Sequence, residues 1–287
     1  MRKSESLDVE VHLFIEAMRL SHGYDFSHYA RASLKRRILG LLPVFGFDHI
    51  TDLLPALIHD PGFHLQVIAQ LSVPVSEMFR DPAEFLVLRE RVLPVLHSYP
   101  QITVWQAGCA NGEEVYSLAI LLKEEGLYDR CQIFATDIND VALAKAEEAV
   151  YPVATLKDYG ENYLKAGGRG SLEDYYHDSY DFGIMDGSLK SNIVFAHHNL
   201  VSDGVFCEVH LIMCRNVLIY FDRPLQNRVL KLFHDSFVRG GFLCLGTKES
   251  VGFSEVAEDF ATIDPDRRIF QFQPKARPAS WTPGILT

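Results

Sequence analysis

"VWQAGCANGEEVYSLAI", residues 104–120, decides how this chain is read. A β-branched and aromatic run, Ile102 to Trp105, leads into a small-residue loop, and apolar residues at helical spacing follow. Strand, glycine turn and helix in that order open an α/β sheet, in which ligands sit beyond the carboxyl ends of the strands. The turn has the outline of a phosphate loop, yet the helix begins with Glu113 and Glu114. Helix N-termini hold anions through free N–H groups and the helix dipole, so two carboxylates there repel a pyrophosphate. The fingerprint Gly-x-Gly-x-x-Gly is absent as well. Gly108 and Gly112 alone are weak evidence, because tight turns carry such glycines for backbone reasons. Either glutamate alone could merely complement the dipole, at about 0.3–1 kcal/mol. A pair of them beside a ligand-sized loop favours a ligand that carries positive charge.

Working outward, apolar strands alternate with amphipathic helices from Ile102 onward, the pattern of a doubly wound α/β sheet. Strands are read at "ITVWQA", "CQIFAT", "NIVFAH", "VHLIMC", "GFLCLG" and "RRIFQFQ", and helices at 112–125, 139–149 and 224–238. "AGGRGSLEDYYHDSYDFGIMDGSLKS" interrupts this rhythm; residues 167–191 are read as a small antiparallel β excursion or long loop. Residues 8–92 read as helices only, with breaks at His22-Gly23, "PVFGF" and Asp60-Pro61-Gly62. The domains expected are a small all-α unit at 8–92, a ligand-binding α/β domain at 93–274 and a flexible proline-rich tail at 275–287.

The 287 residues can bury a sizeable core, and 48% hydrophobic with 23% charged residues is the composition of a globular protein. No apolar run reaches the length of a membrane span, and the N-terminus lacks a signal-peptide stretch, so no membrane insertion is expected. Five cysteines without a CxxC pair fit a reducing cytoplasm; Cys131, Cys207, Cys214 and Cys244 read as small buried hydrophobes. A formal net charge of −11 argues against nucleic acid as a partner. One basic run, "RASLKRRI" at 31–38, stands out against that acidity. His197 and His198 are adjacent on a strand and point to opposite faces, so they do not share a metal, and no metal site is expected.

Asp137 in "FATDIND" stands where an acid after the second strand accepts hydrogen bonds from both ribose hydroxyls; it could equally cap the next helix. Asn199 in "FAHHNL" and Asn216 in "LIMCRNVLIYF" project from strand ends on the same rim, suited to an adenine edge or an amino-acid headgroup, or simply to turns. A glycine turn, helix-one carboxylates and an acid after strand two together suggest an adenosine bearing a cationic group. S-adenosyl-L-methionine fits that description.

These residues resemble the CheR-type chemoreceptor glutamate methyltransferases, from about residue 10 to 273. The likeness rests on "GCANGEEVYSLAI", "FATDINDVALAKA", "HHNL", "CRNVLIYFDRPLQNRVLKLF" and, in the helical part, "SLKRRI" and "LSVPVSEMFRDPAEF". The resemblance implies a class I, Rossmann-like methyltransferase sheet with an all-α N-terminal domain. It implies an enzyme that methyl-esterifies receptor glutamates with S-adenosyl-L-methionine, releasing S-adenosyl-L-homocysteine. Ser76, Arg80, Gly108, Glu114, Asp137, Ile138, Asn199, Leu200, Asn216 and Val217 are the implied cofactor contacts. Of the two glutamates, Glu114 is the one expected to face positive charge. Arg80 is expected to hold the methionyl carboxylate or orient the incoming glutamate, and Tyr220 to lie near the transferred methyl. Arg31, Lys35, Arg36 and Arg37 match the surface that meets the receptor's acidic methylation region, and a monomer is expected. One departure is Ser72-Val73-Pro74-Val75-Ser76, where relatives carry Thr-Thr-Asn-x-Thr; Pro74 removes a backbone donor at the substrate side. That departure keeps a second reading open: a cofactor-binding signalling module with little turnover.

Overall fold

The computed structural model describes residues 3–275, so the tail reading lies outside them apart from Lys275. The N-terminal unit is helical: α1 (Lys3–His22), α2 (Arg31–Phe45), a 3-10 turn (Ile50–Asp52) running into α3 (Leu53–His59), and α4 (Phe63–Leu71). Its own core is built from Phe14, Met18, Leu34, Ile38, Leu53 and Val67 with their neighbours. On α2 the buried residues Leu34, Ile38 and Leu41 recur at helical spacing. Pro43 is accommodated inside that helix, which ends at Gly46 in left-handed backbone (φ +75°) one turn into the expected break.

The next helical stretch belongs elsewhere. α5 (Pro82–Val87) continues through a single π turn (Leu88–Val92) into α6 (Leu93–Leu96). Met78, Phe79, Phe85, Leu88, Val92, Leu93 and Leu96 pack into the core of the sheet domain, not with the helical unit. The division read at 92/93 therefore moves to the segment between Leu71 and Met78. Helical texture on both sides hid it, because what separates the units is which core each helix joins.

The sheet domain follows with β1 (Ile102–Ala107), α7 (Glu113–Glu124), β2 (Cys131–Asp137), α8 (Asp140–Glu148), β3 (Val150–Pro152) and α9 (Val153–Lys165). Then come β4 (Tyr176–Ser179), β5 (Phe182–Met185), β6 (Ile193–His197), β7 (Val209–Cys214), α10 (Arg223–Ser236), β8 (Phe237–Leu245), β9 (Phe260–Asp264) and β10 (Ile269–Phe272). Seven strands form one sheet in the order β6-β2-β1-β7-β8-β10-β9. β6, β2, β1, β7 and β8 run parallel, and β10 is antiparallel to both of its neighbours. The excursion is a second, antiparallel sheet in the order β3-β5-β4, so it recruits Val150–Pro152 from outside 167–191. α9, β3 and β9 were not read from the sequence.

Alternate residues of each central strand feed two cores. Val104, Leu211, Met213, Phe242 and Cys244 face α5, α6, α7 and α9. Trp105, Ile212, Cys214, Leu243 and Leu245 face α10, whose Leu225, Val229, Leu230 and Phe233 form the matching stripe. Trp105 is fully buried and donates its indole N–H to Thr136 Oγ1 at 2.8 Å, so its apolar bulk is removed from water without orphaning its polar atom. Cys109, Cys131, Cys214 and Cys244 are buried, while Cys207 is only half-buried.

Candidate active site

The carboxyl ends of β1, β2, β6 and β7 open on a cavity of about 390 Å³. β1 is the switch point of the sheet, since β2 and β7 lead away from it in opposite directions. Gly108, just after β1, has φ +74°, and a Cβ there would stand 2.5 Å from Val217 Cγ2. Only glycine lets the first turn close against the turn after β7. Gly112 does a different job: its Cβ would stand 2.9 Å from Ala146 Cβ, so it sets the approach of α7 to α8. The N–H groups of Gly108 and Cys109 both donate to Thr136 O, tying the glycine loop to β2.

Asp137 ends β2 and lines the cavity. It is not the cap of α8; Asn139 is, accepting from the N–H groups of Val141 and Ala142. Asp137 Oδ2 accepts from Ala110 N–H and Oδ1 from Asn139 N–H, both at 2.9 Å. Burial pushes its carboxyl up against these bonds. Each oxygen keeps a further lone pair for a hydroxyl donor.

Glu114 faces positive charge, and that charge is Arg215 of the same chain. Arg215 Nη1 donates to Glu114 Oε2, and Gln106 Nε2 donates to Glu114 Oε1 at 2.7 Å. The Arg215 side chain is 1% exposed; it also donates to Asp81 Oδ2 at 2.8 Å and to the Arg80 carbonyl at 3.2 Å. Glu84 Oε2 lies 2.9 Å from Arg215 Nη2, but neither Glu84 oxygen makes a directional hydrogen bond. Burial, only partly opposed by Arg215, pushes the Glu84 carboxyl up to about 8. Three carboxylates thus surround one guanidinium at the cavity wall, one of them held mostly neutral at pH 7. Glu113 is also buried and pushed up to about 7 by burial, and it is not among the residues lining the cavity. The two glutamates that open α7 therefore differ in role.

Arg80 lines the cavity between Phe79 (φ +52°) and Asp81 (φ +54°), two non-glycine residues in left-handed backbone. Such conformations cost about 1–3 kcal/mol each and persist where the surroundings enforce them. Here the enforcers are Ser117 Oγ, which accepts from Phe79 N–H at 2.8 Å, and Arg215, which holds the Arg80 carbonyl and the Asp81 carboxylate. Among the described residues the Arg80 guanidinium has no hydrogen-bond or ion-pair partner. The approach to Arg80 is pinned too: Asn111 Nδ2 donates to Pro74 O and Asn139 Nδ2 to Ser72 Oγ. Pro74, which has no N–H to give, serves through its carbonyl.

Ser76, Ile138, Asn199, Leu200, Asn216, Val217 and Tyr220 line the same cavity as Arg80, Gly108, Glu114 and Asp137. Asn199 Oδ1 accepts from Val201 N–H, which leaves its amide N–H groups. Asn216 sits in left-handed backbone (φ +60°), held by Glu249, which accepts from the N–H groups of Asn216, Ile219 and Gly246. Sequence reasoning missed Gln106, Arg215 and Glu249. For Arg215 a signal existed, an arginine inside the apolar "LIMCRNVLI", since a buried cation demands nearby acids.

The basic helix divides. Arg31 and Lys35 reach Asp8 at 4.0 and 2.8 Å, and Arg36 is exposed. Arg37 turns inward, lines the cavity and lies over the Tyr220 ring at 4.3 Å.

A mostly parallel sheet with an acid after β2, amides after β6 and β7, and a carboxylate at the first helix defines a Rossmann-like domain of the methyltransferase class. Residues 74–269 match the CheR methyltransferase SAM-binding domain, and residues 10–72 match its all-alpha domain. The chain is 48% identical to a Pseudomonas putida protein named as a methyltransferase, Cher3, over 94% of this chain and 99% of that one. It is 31% identical to a 104.1 kDa protein of Rhodobacter capsulatus, over 92% of this chain and 28% of the relative. It is 28% identical to the chemotaxis protein methyltransferase of Borreliella burgdorferi, over 84% and 88% of the two chains. The chain belongs to the CheR methyltransferase family, and its cofactor is S-adenosyl-L-methionine. The donor set fits that cofactor: acids for a cation and for ribose hydroxyls, amides for polar edges, and an unpaired guanidinium for a carboxylate. No single helix among the described residues is long and apolar enough to cross a membrane.

Proposed function

We propose that this methyltransferase methyl-esterifies glutamate side chains in the acidic methylation region of chemoreceptor cytoplasmic domains, and so works in the cytoplasm. Family membership supports the reading, as do relatives named chemotaxis protein methyltransferase in Borreliella burgdorferi and Listeria. The observation that carries it is the cavity's pairing of carboxylates with a free guanidinium, Arg80. A glutamate with a pKa of about 4.3 is already a nucleophile at neutral pH, so no base has to remove a proton. The cofactor supplies a methyl group activated by its sulfonium. The protein's task is then to align acceptor oxygen, methyl carbon and sulfur, where ordering alone contributes several kcal/mol.

In this reading Asp137 receives the ribose hydroxyls. Asn199, Leu200 and Ile138 bound the adenine, and Asn216, Val217 and Gly108 shape the crevice beside it. Glu114, with Gln106, faces the amino end, and Ser76 and Arg80 face the methionyl carboxylate or the acceptor. Tyr220 borders the path of the methyl group, and Arg31, Lys35 and Arg36 meet the receptor's acids. The test is incubation with methyl-labelled S-adenosylmethionine and receptor signalling-domain fragments, scored as base-labile label, with Arg80→Ala and Asp137→Ala alongside. Label on wild-type reactions that both variants lose is the expected result. Cofactor binding with no label on any fragment would overturn the reading.

A further inference from the structure

We propose that Arg37 is a positioning residue of the transfer site, which fixes Tyr220 across the junction between the two domains, and not a member of the docking face. This refines the receptor-methylating reading and rests on it only for its kinetic arm.

The junction is built around Tyr220. Ala30 N–H donates to Tyr220 O, Asp222 N–H donates to His28 O, and Tyr29 and Phe221 form an antiparallel bridge between these segments. The residue just before α2 is thus tied to the backbone of the Tyr220 turn. Two turns further along α2, the Arg37 guanidinium covers the Tyr220 ring at 4.3 Å, while its Nη1 donates to Leu71 O at the end of α4 at 3.0 Å. Both side chains are half-buried and line the cavity. Backbone bonds locate the turn, and the guanidinium selects the orientation of the ring. Helical geometry explains why Arg37 alone does this. It lies three residues after buried Leu34 and four before buried Leu41, on the flank of the inward stripe, whereas Arg36 points to solvent. Arg37 is therefore placed to couple the seating of the helical domain to the geometry of the transfer site.

The interaction is first measured without any acceptor, by a double-mutant cycle of Arg37→Met and Tyr220→Leu in urea unfolding. A stacked guanidinium contributes enough that the unfolding constants should depart from multiplicativity by about twofold to fivefold. Multiplicative effects would overturn the proposal. With a receptor fragment that wild type methylates, Arg37→Met should lower kcat by about tenfold and leave the acceptor KM within about twofold. Arg37→Lys, which keeps the charge and loses the planar stack, should fall between them. Arg36→Ala should instead raise the acceptor KM at unchanged kcat. An Arg37→Met profile like that of Arg36→Ala would make Arg37 a docking residue and overturn the proposal. If wild type labels no fragment, the receptor reading fails and the unfolding cycle alone decides the role of Arg37.

Discussion

Replacing Glu84 by Gln should remove a loss of stability that wild type undergoes between pH 4.5 and about 8. Glu84 is fully buried beside Arg215, and its oxygens lack directional hydrogen-bond partners. Burial raises its carboxyl from 4.5 to about 8. A group whose folded pKa lies above its unfolded one favours the folded state below the unfolded value, and that contribution is lost as pH rises towards the folded value. Between pH 4.5 and about 8 the folded protein retains a proton here that the unfolded chain has released. Wild type should therefore lose stability relative to Glu84→Gln by about 1.4 kcal/mol per pH unit, about 5 kcal/mol across the window. Gln has nearly the same shape and no charge to bury, so the two proteins should be similar near pH 4.5 and diverge above it. Urea unfolding of both proteins at half-unit steps from pH 4.5 to 9 reads this directly, because shifts elsewhere in the chain cancel in the difference. Parallel curves would refute the reasoning. Such curves, with wild type the more stable throughout, would show Glu84 ionised and held as a true ion pair with Arg215, since a lowered carboxyl titrates below this range.

Asp137→Asn removes the charge from the end of β2 and leaves one carbonyl oxygen for two backbone donors. Hydrogen bonds to a charged group contribute about 1.5–3 kcal/mol, so calorimetry should show S-adenosylmethionine binding weakened roughly 10- to 150-fold; an unchanged Kd would refute the assignment. Gly108→Ala combines left-handed strain of about 1–2 kcal/mol with a Cβ 2.5 Å from Val217 Cγ2, and overpacking adds about 1–3 kcal/mol. Gly46→Ala is the control, since its φ of +75° nearly equals the +74° of Gly108 and nothing lies within 4 Å of the added carbon. Chemical denaturation should find Gly108→Ala the more destabilising of the two, and equal losses would remove the argument from the crevice.

What was legible in the sequence was local or periodic. Central strands such as "VHLIMC" are buried on both faces and so read as unbroken apolar runs. α10 reads from its Asp222 cap, Pro224 in its first turn and the stripe Leu225, Val229, Leu230 and Phe233. α9 was missed because it buries little beyond Leu156 and Tyr163, follows Pro152 and contains Gly160. β9 is a short strand whose only buried residue is Phe260, so it has almost no pattern of its own. At the site, residues projecting from strand ends could be placed on one rim from sequence spacing. Arg215 could not be assigned, because its acids lie at 81, 84 and 114 and meet only when the chain folds. Arg37 could have been separated from Arg36 by the period of α2, since its position flanks the buried stripe.

The glutamates at the head of α7 raise a final question of balance. A pocket that bound a cationic cofactor by bare carboxylates would hold the ground state too well, because that charge disappears as the methyl leaves. The structure tempers its acids: Glu114 is tied to Arg215, and Glu84 is pushed towards its neutral form. With Glu84 protonated, Asp81, Glu114 and Arg215 together carry one net negative charge. Arg37 and Arg80 line the same cavity, so any preference for a cationic group is local to Glu114 and Asp137 and is not set by the net charge of the wall. In the reaction proposed above the sulfonium charge is lost with the methyl, so a carboxylate facing it would attract the product less than the cofactor. Of the two acids in "GCANGEEVYS" only Glu114 lines the cavity, and Arg215 limits the charge it presents there.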